Sequence, residues 1–227
     1  MERIRFENEL ADLGILSGRE YQVAVSQVET VRICLIDPAG VFKDKKKLRL
    51  EFMTKLKDKF NNLDAQWLRN ANLKFEVLYL SKEPANKANF KKLDFPVYLL
   101  TAQHGSKTVL ELMKQHKIPP KIGQTDIYDY ARDSWNQKDI RGLGIPSDTG
   151  FRKVGFIKTQ RVFDDAPGDF AQAFLNVTSH EIGHMGNRKN HSQKGLMKYP
   201  VPLSTEIDFD TSDKYLFLSD LMRLKRL

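Results

Sequence analysis

Three histidines and a glutamate near residue 185 have the spacing of a metal site with a general base. His180 and His184 are four residues apart, so on a helix their rings project from one face, one turn apart. Imidazole nitrogens bind zinc at about 2.0–2.1 Å, and one helical turn can supply two of them. Glu181 follows the first histidine and lies beside the ion, where a carboxylate can act as base on a water that the metal activates.

A third ligand is available a few residues further on. Gly186 and Asn187 predict the end of the helix, because both residues tolerate the left-handed conformation that ends helices. The chain can then return His191 to the metal, and three protein ligands leave the fourth position of a catalytic zinc open. A carboxylate is the alternative third ligand, and the candidates are Glu206, Asp208 and Asp210.

The stretch HEIGHMGNRKNHSQKGLMKY, residues 180–199, resembles the signature of the metzincin zinc peptidases. That signature is HExxHxxGxxH, followed by a tight turn that places a methionine beneath the metal. His180, Glu181 and His184 match the first half directly, and Met197 is similar to the methionine of the turn.

The stretch departs from the family pattern at two points. Asn187 stands where the family has glycine, a change that suits Asn because it adopts positive φ more readily than most residues. The third histidine comes one residue late, so residues 188–190 must bulge before His191 reaches the metal. Tyr199, two residues after the methionine, is similar to the tyrosine that astacins and serralysins place near their zinc.

The resemblance implies a zinc-dependent endopeptidase. Glu181 would be the general base, Met197 would pack beneath the ligands, and the Tyr199 hydroxyl would donate to the developing oxyanion. Protein or peptide would be the substrate. A binding protein that has kept the fold and the metal site without activity is one alternative, although Glu181 argues against it. A basic nucleic-acid-binding module is the other alternative.

Length and composition favour an ordinary globular protein. The chain has 227 residues, a net charge of +8 and no apolar run long enough to span a bilayer. The charge comes without a zinc finger, a helix-turn-helix or basic residues interleaved with aromatic ones, so no nucleic-acid partner is expected. Cys34 is the single cysteine and is expected to be a buried thiol. The N-terminus lacks the apolar core of a signal peptide, which predicts a cytoplasmic protein, or one exported without a leader or trimmed.

Hydrophobic periodicity predicts the elements that must hold this site. Apolar runs predict strands at residues 31–36, 74–80 and 95–101, and helical spacing predicts a helix over residues 44–67. Shorter helices are expected at residues 109–116 and 216–227, and residues 126–135 are ambiguous. The metal helix begins after Asp169, a candidate N-cap. His104 and His116 are far from the motif in sequence and are expected at the surface.

The order of these elements resembles that of a metzincin upper domain, and the resemblance implies an α+β fold, a twisted mixed sheet with helices behind it, an active-site helix and a small C-terminal part. We expect a single domain over residues 1–227, divided into an N-terminal segment (1–29), an upper part (30–186) and a C-terminal part (187–227). The glycine-rich residues 142–150 predict a loop.

The segment after that loop, residues 153–161, is expected to be the edge strand of the cleft. Gly155, Phe156 and Ile157 would pair with an extended peptide substrate. Basic residues near this segment and the metal helix suggest a preference for acidic residues around the cleaved bond; they are Arg152, Lys153, Lys158, Arg161, Arg188, Lys189, Lys194 and Lys198.

Overall fold

The computed structural model describes residues 28–87, 90–146, 153–186 and 191–226. Almost all of the expected N-terminal segment, residues 1–29, lies outside the described residues, and so do residues 187–190 of the metal motif. The expectation of one domain over the whole chain therefore stays a prediction.

A mixed sheet is the centre of the described part of the chain. Its five strands are β1 (Glu29–Ile36), β2 (Leu73–Leu80), β3 (Asp94–Leu100), β6 (Gly142–Ile145) and β7 (Val154–Lys158), in the order β2-β1-β3-β7-β6. The first four strands in this order run parallel, and β6 runs antiparallel to β7. A separate small hairpin pairs β4 (Lys121–Ile122) with β5 (Thr125–Asp126).

Helices cover both faces of the sheet. One face carries α1 (Lys46–Asn61), α6 (Phe170–Met185) and α7 (Thr211–Arg226), and the other carries α3 (Ser106–Gln115) and α4 (Ile127–Asn136). Two shorter helices are α2 (Ala65–Asn70) and α5 (Thr159–Asp165). Because both faces are covered, the central strands read as nearly continuous apolar runs, and every residue of β3 is buried.

The predicted mixed sheet with backing helices is confirmed. The helix expected over residues 44–67 is interrupted after Asn61, and α2 begins where the Asp64 carboxylate accepts the Trp67 N–H at 2.9 Å. The ambiguous residues 126–135 form α4. No helix among the described residues is long and apolar enough to cross a membrane.

Candidate metal centre

The metal helix α6 is buried over almost its whole length, with the sheet on one side and α1 and α5 also packed against it. Apolar and small residues lie on several of its faces, so it packs against β6 and β7 on one side and α1 on the other. It begins after Asp169, whose side chain makes no capping bond, and ends at Gly186. A Cβ on Gly186 would lie 2.3 Å from Phe217 Cδ2, and φ there is −81°. This glycine therefore serves close packing rather than a left-handed turn.

Two glycines of β6 allow the metal helix to lie directly against the sheet edge. A Cβ on Gly142 would meet Glu181 Cγ at 2.6 Å, and one on Gly144 would meet the Glu181 carbonyl oxygen at 2.2 Å and His184 Cβ at 2.8 Å. All three distances are far inside van der Waals contact, so an added side chain would displace the Glu181 side chain at position 142 and the backbone of the helix at position 144. The loop expected at residues 142–150 is wrong for 142–145, because these glycines mark a close approach of backbones within a strand.

The three predicted histidine ligands converge. His184 Nε2 lies 3.1 Å from His180 Nε2 and 3.3 Å from His191 Nε2. Nitrogens bound to one tetrahedral zinc at about 2.05 Å are separated by about 3.3 Å, so this spacing fits a shared ion. One nitrogen from each ring lies within 4.8 Å of the other two, and these three residues could hold a metal ion.

The turn after His191 orients the first ligand. His180 Nδ1 donates to the Leu196 carbonyl oxygen at 2.7 Å, which leaves the lone pair of Nε2 directed at the metal position. Gly195 enters this turn at φ +71°, a conformation that suits glycine. Met197 is fully buried beneath α6, where a Cβ on Gly183 would lie 2.4 Å from its sulfur.

Two of the three histidines are in the protonation state that can bind a metal cation. Burial lowers the pKa of His180 to about 3, with the neighbouring His184 and His191 acting in the same direction. Burial also lowers the pKa of His191. Both imidazoles are therefore neutral near pH 7, and neutral imidazole is the form that binds a metal.

Glu181 lies beside the triad with its side chain buried. Burial raises its pKa to about 8, and the Gly144 backbone N–H, which hydrogen-bonds to it, offsets part of that rise. A divalent cation on the three histidines would lower this pKa again, because a nearby positive charge favours the carboxylate. A carboxyl group with a pKa near neutrality can both accept and return a proton.

Glu181 and the histidines open onto a cavity of about 350 Å³. Gly142, Leu143 and Gly144 of β6 form one side, and the rest of the wall includes the apolar side chains of Ile122, Ile127, Ile140, Val177 and Val201. The cavity therefore combines converging polar groups with an apolar lining, a combination typical of ligand sites.

Tyr199 lies at the mouth of the same cavity. Its ring centroid is 4.9 Å from that of His191, and its hydroxyl donates to Asp139 Oδ2 at 2.8 Å. Asp139 comes shortly before β6 in the chain. The sequence did not predict it as a site residue, since nothing around it distinguishes it from other surface aspartates. The bond raises the pKa of Tyr199 and lowers that of Asp139.

The alternative carboxylate ligands are engaged elsewhere. Asp208 accepts from Lys59 Nζ at 2.7 Å, and Asp210 accepts from the Asp213 N–H at the start of α7. Glu206 lines a different cavity, beside Lys59. These positions leave His191 as the residue that completes the cluster.

The strand expected to bind substrate does not lie at the edge of the sheet. Gly155, Phe156 and Ile157 belong to β7, which lies between β3 and β6, and Phe156 and Ile157 are fully buried. Their backbone groups are paired on both sides and are not available to a peptide. The strand at the edge beside the metal is β6.

The two remaining histidines lie away from the site. His116 was expected at the surface, but it is buried with Nε2 2.9 Å from the Tyr98 hydroxyl. His104 is partly buried, and its Nδ1 accepts from the Thr101 N–H at 3.2 Å. Cys34 is buried, as expected.

Comparison with known proteins finds a similarity in structure but none in sequence families. No protein-family model matches the chain, and no curated protein matches it. Among solved structures, it is similar to archaemetzincin from Methanopyrus kandleri, with a TM-score of 0.45 and 12% sequence identity over 85% of this chain and 96% of that one. The chemistry of this chain therefore has to follow from its own side chains.

Proposed function

We propose that this protein is a zinc-dependent endopeptidase that hydrolyses peptide bonds with Glu181 as general base. The observation that carries the proposal is the convergence of the His180, His184 and His191 Nε2 atoms beside the buried Glu181 carboxylate. A purely structural metal site has no use for an acidic side chain in that position.

Zinc, when bound, supplies a Lewis acid that polarises a carbonyl group and makes water acidic enough to lose a proton near neutral pH. Glu181 takes that proton and passes it to the leaving amine. The Gly144 N–H holds the carboxylate in place, and its burial excludes competing water. Tyr199 would donate its hydroxyl to the oxygen that becomes negative, after releasing Asp139.

The edge strand β6 and the apolar cavity wall suggest how a peptide would bind. An extended peptide can add to a sheet edge through main-chain hydrogen bonds, and β6 is the edge that lines the cavity. The apolar wall would accept an uncharged side chain of the substrate. Substrate pairing is therefore assigned to the free edge of residues 142–145, except the Gly144 N–H that Glu181 occupies, instead of Gly155, Phe156 and Ile157.

A preference for acidic substrates has less support than the sequence suggested. Lys153 is buried and donates to the Lys92 carbonyl oxygen at 2.7 Å, and Lys158 lies over the Trp135 ring. Arg161 pairs with Asp165. Arg152, Arg188 and Lys189 lie outside the described residues, which leaves the exposed Lys194 and Lys198 as the described cations of that proposal.

Metal analysis together with peptide digestion tests the proposed function. The purified protein should hold about one zinc per chain and should cleave members of an unbiased peptide library. Removal of zinc with a chelator should abolish cleavage, and added zinc should restore it. Bound zinc without cleavage of any peptide would favour the inactive binding protein. Binding to nucleic acid that weakens steeply with salt would favour the nucleic-acid-binding module.

A further inference from the structure

The third ligand differs from the first two in how it is held. His180 and His184 are fixed by α6, whereas His191 is exposed and lies in the turn region that follows. A ligand outside regular structure needs other contacts to hold its nitrogen at bonding distance, because metal affinity depends on how well the ligands are preorganised.

The neighbour of the third ligand is held from two directions. The Ser192 N–H donates to the Met197 carbonyl oxygen at 2.9 Å, which joins His191 to the methionine turn. The Ser192 hydroxyl donates to Asp213 Oδ2 at 2.7 Å, with the Lys194 carbonyl oxygen as a second acceptor at 2.9 Å, and Asp213 is 1% exposed. The second contact joins the ligand segment to α7, a helix that supplies none of the three histidines and none of the residues that line the cavity.

The same helix also holds the residue at the end of α6. Phe217 packs so closely on Gly186 that a Cβ there would lie 2.3 Å from its ring. Asp213 and Phe217 are four residues apart, so they project from one face of α7. Phe217 itself is fixed in the core by ring contacts with Phe60, Phe75, Phe95 and Phe209.

We propose that α7 sets the position of the third metal ligand, with Asp213 as the positioning residue. Phe217 fixes the point where the chain leaves the metal helix, and Asp213 fixes, through Ser192, the point where it returns at His191. This inference rests on the metal site of the proposed function and assigns it a support that the signature HExxHxxGxxH does not contain.

Zinc affinity of matched variants, measured by competition with a chromophoric chelator, tests the proposal. Asp213→Ala and Ser192→Ala should each weaken zinc binding by about 10- to 100-fold, the usual effect of removing a partner of a metal ligand. Asp213→Asn keeps an oxygen acceptor for the Ser192 hydroxyl and should bind zinc more tightly than Asp213→Ala. Asp220→Ala is the control, because Asp220 is also a buried aspartate of α7 but bonds to Arg223 on its own helix.

The visible spectrum of the Co²⁺-substituted protein gives a second measurement. It reports the geometry of the bound ion, which loss of stability alone would not change. Its ligand-field bands should change in Asp213→Ala and Ser192→Ala, and should match the parent in Asp220→Ala. If Asp213→Ala fails to fold, Ser192→Ala removes the same contact from a partly exposed position and decides the question.

Three results would overturn the proposal in distinguishable ways. Equal zinc affinity in Ser192→Ala and the parent, with weak binding in His191→Ala, would remove α7 from the site and leave the metal centre intact. Equal losses in Asp213→Ala and Asp220→Ala would mean that α7 acts only through general stability. A parent protein that binds no zinc would overturn the proposed function together with this inference.

Discussion

A methyl group on Gly144 would lie 2.2 Å from the backbone carbonyl oxygen of Glu181. This relationship fixes the distance between the edge strand and the metal helix, because neither backbone can move away without opening the core behind it. The same strand supplies the N–H that holds the Glu181 carboxylate. The catalytic geometry proposed above therefore depends on the absence of a side chain at a position remote from the metal ligands in sequence.

Gly144→Ala should push α6 away from β6 and weaken both stability and zinc binding. The added methyl group meets backbone rather than a flexible side chain, so we expect a loss of about 1–3 kcal/mol in the free energy of unfolding. Denaturant unfolding of the zinc-free protein and zinc titration measure the two effects. Gly168→Ala is the control, since its added Cβ would meet nothing within 4 Å.

Gly142→Ala should have a different effect from Gly144→Ala. The three atoms nearest to the added Cβ all belong to the Glu181 side chain, with Oε1 at 2.7 Å, and a side chain can rotate where a backbone cannot. We expect zinc binding to be kept and peptide hydrolysis to fall, because the base is displaced while the ligands stay in place. Loss of zinc from this variant would contradict the distinction between the two glycines.

Glu181→Gln should keep zinc and fold while losing hydrolysis. The amide has nearly the same shape as the carboxylate but cannot accept a proton, and general acid–base catalysis typically contributes about 10²- to 10⁴-fold in rate. Initial rates at saturating peptide and metal analysis of the same sample measure both quantities. A variant that cleaves peptide as fast as the parent would remove Glu181 from the mechanism.

The sequence is sufficient to predict which histidines come together, since the spacing of His180 and His184 on a helix leaves little geometric freedom. The late third histidine was harder to place, because a bulge has no sequence signal of its own. Asp213, which bonds to the neighbouring Ser192, lies 21 residues beyond that serine in the chain. Long-range contacts of this kind follow from tertiary packing, which local periodicity does not report.

The edge strand could not be predicted because its composition is misleading. Strands are usually rich in β-branched and aromatic residues, whereas Gly142 and Gly144 are typical of loops. Their spacing of two residues, on one face of a strand, is the signal that could have indicated a helix packed against that face. β7 was expected at the edge because it follows the glycine-rich residues and precedes the metal helix, and a loop in place of β6 would have left it there.

Burial of polar side chains was also outside the reach of the sequence. Lys153 and His116 look like surface residues, but the first has its ammonium over the Phe95 ring and the second pairs with Tyr98. Both depend on partners that come close only when the sheet and its helices are assembled.

His116 should make the protein less stable in mild acid. Burial lowers its pKa to about 4, below the value of about 6.5 for an exposed histidine. Between these pH values the unfolded chain takes up a proton that the folded protein does not, so stability is full above pH 6.5 and falls as the pH drops toward 4. The loss attributable to this group reaches about 3 kcal/mol.

Denaturant unfolding of the parent and of His116→Gln between about pH 7.5 and about pH 4.5 measures this effect, because the range crosses the pKa of about 6.5 for the unfolded chain and approaches the lower pKa of the folded protein. The variant loses the hydrogen bond to Tyr98 or weakens it, but its stability should depend less on pH. Other titrating groups, including His180, are common to both proteins and cancel in the difference. Parallel pH profiles for the two proteins would contradict the assignment.

Tyr199 and Asp139 allow the role of the tyrosine hydroxyl to be separated from the role of the bond that it makes. If the hydroxyl stabilises the developing oxyanion, Tyr199→Phe should lower kcat by on the order of 10²-fold with little change in KM. Asp139→Ala should keep kcat or raise it, because it frees the same hydroxyl from its acceptor. Steady-state kinetics of the two variants and of the double variant provide the measurement.

The double variant decides between the two roles. A catalytic hydroxyl predicts that Tyr199→Phe with Asp139→Ala is as slow as Tyr199→Phe alone, since Asp139 acts only through the group that is missing. If the bond merely holds the cavity mouth in shape, both single variants should change KM by similar amounts and leave kcat near the parent value. Equal effects of the two single variants on kcat would therefore contradict a catalytic tyrosine, and would reassign Tyr199 to substrate access at the mouth of the cavity.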